Sequence, residues 1–187
     1  MGQVDRKINA RSCIIREIDL KTSQDFLNLH HLQGSCRSSL KLGLFYGNEL
    51  VGVATFGKPR FEKFDGVELM RMCFAPGVQV RGGVSKLMSY VKESESILTY
   101  ADARFSDAGG YLAAGFTYLK QTAPGYHWFK SSTGLVSRHL STKSNLPKLL
   151  GSKFDSRLSE DVNMRNAGFL KLIDCGHHKL VLSRSKI

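Results

Sequence analysis

The chain has 187 residues, 42% hydrophobic and 23% charged, which is ordinary globular usage and excludes disorder as the whole account. Its 27 Lys and Arg outnumber 16 Asp and Glu, giving a formal net charge of +11, which favours a polyanionic partner such as nucleic acid. No run approaches the ~18 apolar residues of a membrane span, so no membrane partner is expected.

In chain order, residues 12–18 (SCIIREI) predict a short strand, and residues 22–32 a helix with Thr22 or Ser23 as N-cap. Residues 40–46 and 49–56 are two β-rich runs split by Gly47-Asn48, a hairpin signal. Residues 67–74 (VELMRMCF) predict a strand that stops at Ala75-Pro76-Gly77. A glycine-containing loop then runs into an amphipathic helix, QVRGGVSKLMSYVKE, with Leu87, Tyr90 and Val91 at helical spacing. Residues 97–101 predict a buried strand, and 108–115 a short helix ended by Gly115. Residues 116–121 and 126–130 predict a second hairpin, turned at Pro124-Gly125. A helix with Ser159 as N-cap over 159–167 and a last hairpin, FLKLID with KLVLS, complete the order. It fits a mixed α+β sheet and not a Rossmann repeat.

Composition shifts near 131–134 (SSTG). Residues 135–187 hold ten Lys/Arg against four Asp/Glu, and the first 134 hold seventeen against twelve. Net positive charge, +6 over 53 residues against +5 over 134, is about three times denser beyond the shift. The expected organisation is a first domain over 1–134 and a small basic C-terminal α/β subdomain over 135–187, a helix plus a hairpin.

The N-terminus has no continuous apolar h-region, and Arg6 breaks the myristoylation pattern that begins at Gly2. Four scattered cysteines without a CxxC pair read as reduced thiols of a cytoplasmic protein. No metal site is expected, and Cys175-Gly176-His177-His178 reads as the tight turn of the last hairpin.

Gln79, Val80, Arg81, Gly82, Gly83, Val84 and Ser85 stand between a strand and a helix. Adjacent glycines let a backbone approach a ligand, and N–H groups at a helix start cradle a pyrophosphate. A glycine turn that simply opens a helix explains the same residues equally well. About thirty residues downstream stands Tyr111-Leu112-Ala113-Ala114-Gly115-Phe116, after a strand ending in Ala101-Asp102.

A strand ending in a Pro turn, then Q-x-x-G-G-V, helix, strand and Y-x-x-x-G-F resembles the GNAT (Gcn5-related N-acyltransferase) superfamily, over roughly residues 10–130. The resemblance implies a mixed twisted sheet with helices on both faces. It implies that Gln79, Arg81, Gly82, Gly83, Val84 and Ser85 bind acetyl-CoA or a related acyl-CoA. It implies that backbone N–H groups near Met72 and Phe74 polarise the acyl carbonyl, and that Tyr111 is the general acid toward the departing thiolate. Val84 departs from the family's Ala or Gly, and a β-branched residue there is expected to crowd the cofactor.

Segments 30–34 (HHLQG), 42–61, 68–74, 80–87 and 100–116 look like a phage subgroup that includes the Mu Mom-type DNA adenine-modification proteins. The same subgroup includes the GNAT-like region of phage homing endonucleases, and residues 158–176 are similar to the segment that follows it there. The implied function is a phage-encoded acyltransferase acting on nucleic acid, double-stranded DNA in the host cytoplasm. Two alternatives stand beside it: a non-catalytic DNA-binding relative of the endonuclease module, and an ordinary protein or small-molecule N-acetyltransferase.

Adenine N6 is a poor nucleophile because its lone pair is delocalised, so such chemistry needs a placed base and an electrophile. His31 and Asp102 are the candidate bases, with Ser106 in the same polar edge. His31 reads equally as a partly buried core residue, Asp102 as a salt-bridge partner of Arg104, and Tyr111 as a packing ring. A flipped base needs an aromatic pocket, for which Phe56, Phe61, Phe105 and Trp128 are candidates. Arg104, Arg138, Lys143, Lys148 and Lys153 are candidate phosphate contacts, or a solvated face.

Overall fold

A computed structural model describes residues 4–92 and 95–184; Gly2, the end of the predicted helix at Glu93 and the last three residues lie outside them. The described residues form two compact units. The first runs to Ala101, takes in Phe105–Lys120 and resumes at His178; the second holds Asp102–Arg104 and Gln121–His177. The boundary expected after residue 134 falls inside the second unit, at the strand that begins with Gly134.

In chain order the first elements are β1 Arg6–Asn9, β2 Cys13–Glu17, α1 Leu20–His30, β3 Leu40–Tyr46, β4 Glu49–Gly57, β5 Gly66–Phe74, β6 Val78–Arg81, α2 Gly83–Ser89 and β7 Ser96–Asp102. Then come α3 Gly109–Ala113, β8 Thr117–Gln121, β9 Tyr126–Lys130, β10 Gly134–Ser137, α4 Leu146–Leu150, α5 Glu160–Asn166, β11 Leu170–Ile173 and β12 His177–Leu182. A seven-stranded sheet has the order β2-β3-β4-β5-β7-β12-β8, antiparallel from β2 to β5 and parallel between β5 and β7. β1 and β6 form a separate parallel pair.

Strand alternation divides the apolar residues of the sheet between two helical layers. Val53 and Cys73 pack with Phe26 and Leu27 of α1. Ala54, Phe56, Met72 and Phe74 pack with Leu87 and Met88 of α2, beside Tyr111 of α3. The N-cap of α1 is Asp19, not Thr22 or Ser23: its carboxylate accepts from the Thr22 backbone N–H at 2.7 Å and from the Thr22 hydroxyl at 3.1 Å. A carboxylate makes the stronger cap here because it serves both donors. The β3–β4 hairpin forms as predicted, with Gly47 at φ +59° in its turn. The far end of α2 is tied down by Arg184, whose guanidinium donates to the carbonyl of Met88 in the helix and to those of Val91 and Lys92 just past it.

Two expected hairpins do not form. β8 lies next to β12 at the edge of the large sheet, while β9 pairs with β10 and β11 in a three-stranded sheet of the second unit. The second unit has its own core of Trp128, Val136, Leu146, Met164, Ala167 and Phe169. Its polar hub is Glu160, which accepts from the Trp128 indole and the Tyr126 hydroxyl, both at 3.0 Å, and from Ser141 at 3.1 Å. Ser159 caps α5 as predicted. Among the described residues no helix is long and apolar enough to cross a membrane.

Candidate functional site

The site begins with a fork in the large sheet. Among the described residues β5 and β7 pair at Gly66–Ser96, Val67–Ile97, Glu68–Leu98 and Leu69–Thr99 and no further. β4 stays paired to β5 as far as Phe74, with a register shift that sets Phe56 opposite Leu69 and Thr55 opposite Arg71. Met70 is therefore the extra residue of a bulge, which bends the strand just where it leaves β7. Among the described residues no strand pairs the β7-side edge of β5 beyond Leu69, beside Met72 and Phe74.

Thr99 closes the fork: its buried hydroxyl donates to the Leu69 carbonyl at 3.3 Å. The Tyr111 ring stacks edge-on against Phe116, with centroids 5.5 Å apart. Burial raises the Tyr111 phenol above its ordinary value, and a hydrogen bond with Thr99 pulls the other way. The phenol is thus protonated at neutral pH and held at the closed end of the fork.

The predicted glycine loop is in part a strand: Gln79 and Arg81 belong to β6, pairing with Lys7 and Asn9, and both are exposed. Gly82 caps α2 at φ +73°, and a Cβ on it would meet only Ala10, at 3.7 Å. Gly83 is buried, and a Cβ there would lie 2.8 Å from the Phe74 ring and 3.1 Å from Val80. Val84 packs on the core, while Ser85 is exposed. Arg81, Gly82 and Ser85 are exposed at the start of α2, while Val84 is partly buried against the core.

His31 follows α1 as its C-cap, and its Nδ1 accepts from the Gln33 backbone N–H at 3.1 Å. Burial first, then the positive charge of Arg71, lower the imidazole to about 4. Such a ring is neutral at pH 7 and a weak base. Arg71 itself donates to the carbonyls of Gly34 at 3.1 Å and Met70 at 2.8 Å.

Asp102 and Arg104 belong to the second unit and form a forked ion pair, 3.0 Å from Nε to Oδ1 and 2.7 Å from Nη2 to Oδ2. The Arg104 guanidinium holds the Asp102 carboxyl below its ordinary value. The Ser106 hydroxyl accepts from the Ala108 backbone N–H at 3.0 Å and supports Ala108 in the left-handed region at φ +63°. Arg138 stands 5.1 Å over the Tyr126 ring; Lys143, Lys148 and Lys153 are exposed on the same stretch of the second unit. Phe56 and Trp128 are fully buried core residues, whereas Phe61 and Phe105 are exposed. Burial pushes the Cys73 thiol up to about 11, an unreactive group. Among the described residues no group of three His, Cys, Asp or Glu is placed to hold a metal.

Thr99 and Arg71 did not emerge from sequence reading. The signal for Thr99 was one polar residue inside the apolar run ILTYA. Arg71 sits among apolar residues in ELMRMCF, where only the bulge reveals which way it faces.

The sheet is mixed, with helices on both faces, as expected from the sequence, and is parted between two parallel strands. The chain belongs to the Mom protein family, whose model matches residues 12–163. No curated protein matches it. Among solved structures it is similar to the ribosomal-protein-S18-alanine N-acetyltransferase of Escherichia coli, with TM-score 0.46, 13% identity, 65% of this chain and 86% of that one covered. It is also similar to a Bacillus subtilis acetyltransferase in complex with CoA, with TM-score 0.48, 14% identity, 91% and 97% covered. A tandem GNAT protein from the clavulanic acid biosynthesis pathway gives TM-score 0.45, 10% identity, 83% and 63% covered.

Proposed function

We propose that the chain is an acyl-CoA-dependent N-acyltransferase that modifies adenine in DNA. The observation that carries this reading is the fork between β5 and β7, closed by Thr99 and Tyr111, in a member of the Mom family. The cofactor, when bound, supplies an activated acyl carbonyl and a thiolate leaving group. Backbone groups of β5 near Met72 and Phe74 orient and polarise that carbonyl. Arg81, Gly82, Gly83 and Ser85 hold the pyrophosphate, with Gln79 beside them on β6. Tyr111, kept protonated by burial, would give its proton to the departing thiolate, and the proton released by N6 as the N–acyl bond forms would pass to water. The exposed cations Arg138, Lys143, Lys148 and Lys153 contact phosphates of the duplex.

The test is nucleoside mass spectrometry on plasmid DNA from bacteria expressing the protein, beside Tyr111→Phe and Gly83→Glu. A mass added to deoxyadenosine by the unaltered protein alone is the expected result. An unmodified nucleoside pool, together with no effect of acyl-CoA on the Tm of the purified protein, overturns the reading.

A second reading, a non-catalytic DNA-binding protein, is favoured by one observation. Glycine at 82 and 83 is already required by the fold, through a positive φ and through the Phe74 ring. Stable acyl-CoA binding counts against it.

A further inference from the structure

The segment between β4 and β5 reads KPRFEKF over residues 58–64. Phe61 within it is 73% exposed, as several apolar side chains of this protein are, and what sets it apart is its support. The backbone beneath it is firmly held. Arg60 donates its backbone N–H to Glu68 Oε2 at 2.8 Å, and its Nη2 and Nε to Oε1 at 2.6 and 3.1 Å. The Glu68 side chain is only 1% exposed, so this anchor reaches into the interior of the sheet. Glu62 accepts from the Tyr100 hydroxyl at 2.7 Å and pairs with Lys179 Nζ, 2.7 Å from its Oε2. Two charged struts, one on each side of Phe61, thus tie the loop to β5, β7 and β12.

The ring is supported as well. Tyr100 meets it edge-on with centroids 5.5 Å apart, and the Arg60 guanidinium stands 5.2 Å over its face. Lys58 and Lys63 are exposed on the flanks, and the same loop lines an open cleft of about 590 Å³. An exposed aromatic ring on a rigid loop, flanked by cations, is complementary to a base step between two phosphate backbones.

We infer that this loop is a DNA wedge: Phe61 inserts between base pairs while Lys58 and Lys63 contact the phosphates on either side. The inference rests on the nucleic-acid reading above and adds to it the element that unstacks the duplex. A base inside the stack is out of reach of any acyl group held in the protein, so the stack must be opened before N6 is exposed. The rigid support matters because a floppy loop would bend aside instead of parting the stack.

Topoisomerase relaxation of a closed circular plasmid, with and without saturating protein, measures unwinding without knowledge of the target sequence. The unaltered protein is expected to shift the linking number. Phe61→Ala is expected to abolish the shift and to weaken duplex binding about tenfold while keeping its salt dependence. Phe61→Trp is expected to keep the shift and to show indole emission quenched by duplex. Lys58→Gln with Lys63→Gln is expected to lower the slope of log affinity against log salt by about 1.8. The wedge is overturned, with the nucleic-acid reading intact, if the protein binds duplex without changing the linking number or if Phe61→Ala unwinds as fully as the original. Absence of duplex binding at any salt overturns both.

Discussion

Burial of the Tyr111 ring against Phe116 and the hydroxyl of Thr99 beside its oxygen make one residue both a packing element and a proton donor. Tyr111→Phe keeps the packing and removes the proton. We expect a stability loss of about 1 kcal/mol, the usual net value of one hydrogen bond. We expect a fall in kcat for CoA release of about 10²-fold, with KM little changed. Steady-state thiol release beside urea unfolding separates the two, and an unchanged kcat removes Tyr111 from the chemistry. His31 gives a prediction about pH. Its folded value of about 4 lies below the ordinary 6.5, so between those values the unfolded chain takes up a proton that the fold refuses. Stability is therefore lost as pH falls from about 6.5 toward 4, by about 1–2 kcal/mol once solvent screening is allowed for. Urea midpoints at pH 7 and pH 5 measure it, and His31→Gln is expected to flatten the difference.

At the scale of elements, the two glycines before α2 separate by the reason each is glycine. Gly82→Ala forces a left-handed alanine into open space and is expected to cost about 1 kcal/mol. Gly83→Ala drives a methyl into the Phe74 ring and is expected to cost about 1–3 kcal/mol. Replacing Phe74 with Leu removes the ring atoms in the way, so Gly83→Ala is expected to cost less in that background. A double-mutant cycle in urea reads the difference, and strict additivity of the two changes rules out the contact. At the other end of the same helix, Arg184→Met removes the donors from the Met88 carbonyl and from those of Val91 and Lys92 beyond it, and is expected to cost about 1–2 kcal/mol, seen as a Tm lower by a few degrees. These elements also show which parts of the fold the sequence made legible. The β3–β4 hairpin was readable because Gly47-Asn48 and the alternating runs around it are local signals. The partners of β8, β9, β11 and β12 were not, because strands adjacent in sequence went to different sheets, a choice made by two separate cores. Tyr111 was legible through its motif, whereas Thr99 acquires meaning only from the rung it shares with Leu69.

For the whole molecule the governing quantity is the net charge of +11. A protein with this excess binds any polyanion to some degree, so affinity by itself says little about a specific partner. The salt dependence says more, because each phosphate neutralised by a cation releases counterions and adds about 0.9 to the slope of log affinity against log salt. Of the candidate cations, Arg104 is engaged with Asp102, whereas Lys143, Lys148 and Lys153 are exposed and Arg138 lies over the Tyr126 ring. If all four of the latter contact phosphates, replacing them together with Gln removes about 3.6 from the slope. The acyl-CoA groups proposed here, on β5, β6 and α2, lie in the first unit, and the four cations lie in the second. Binding of acyl-CoA by the quadruple variant, followed by calorimetry, is therefore expected to match the original. A slope unchanged by the four substitutions shows that the second unit is only a solvated face and moves the duplex contacts elsewhere on the molecule. A slope reduced together with loss of acyl-CoA binding shows instead that the substitutions disturbed the fold.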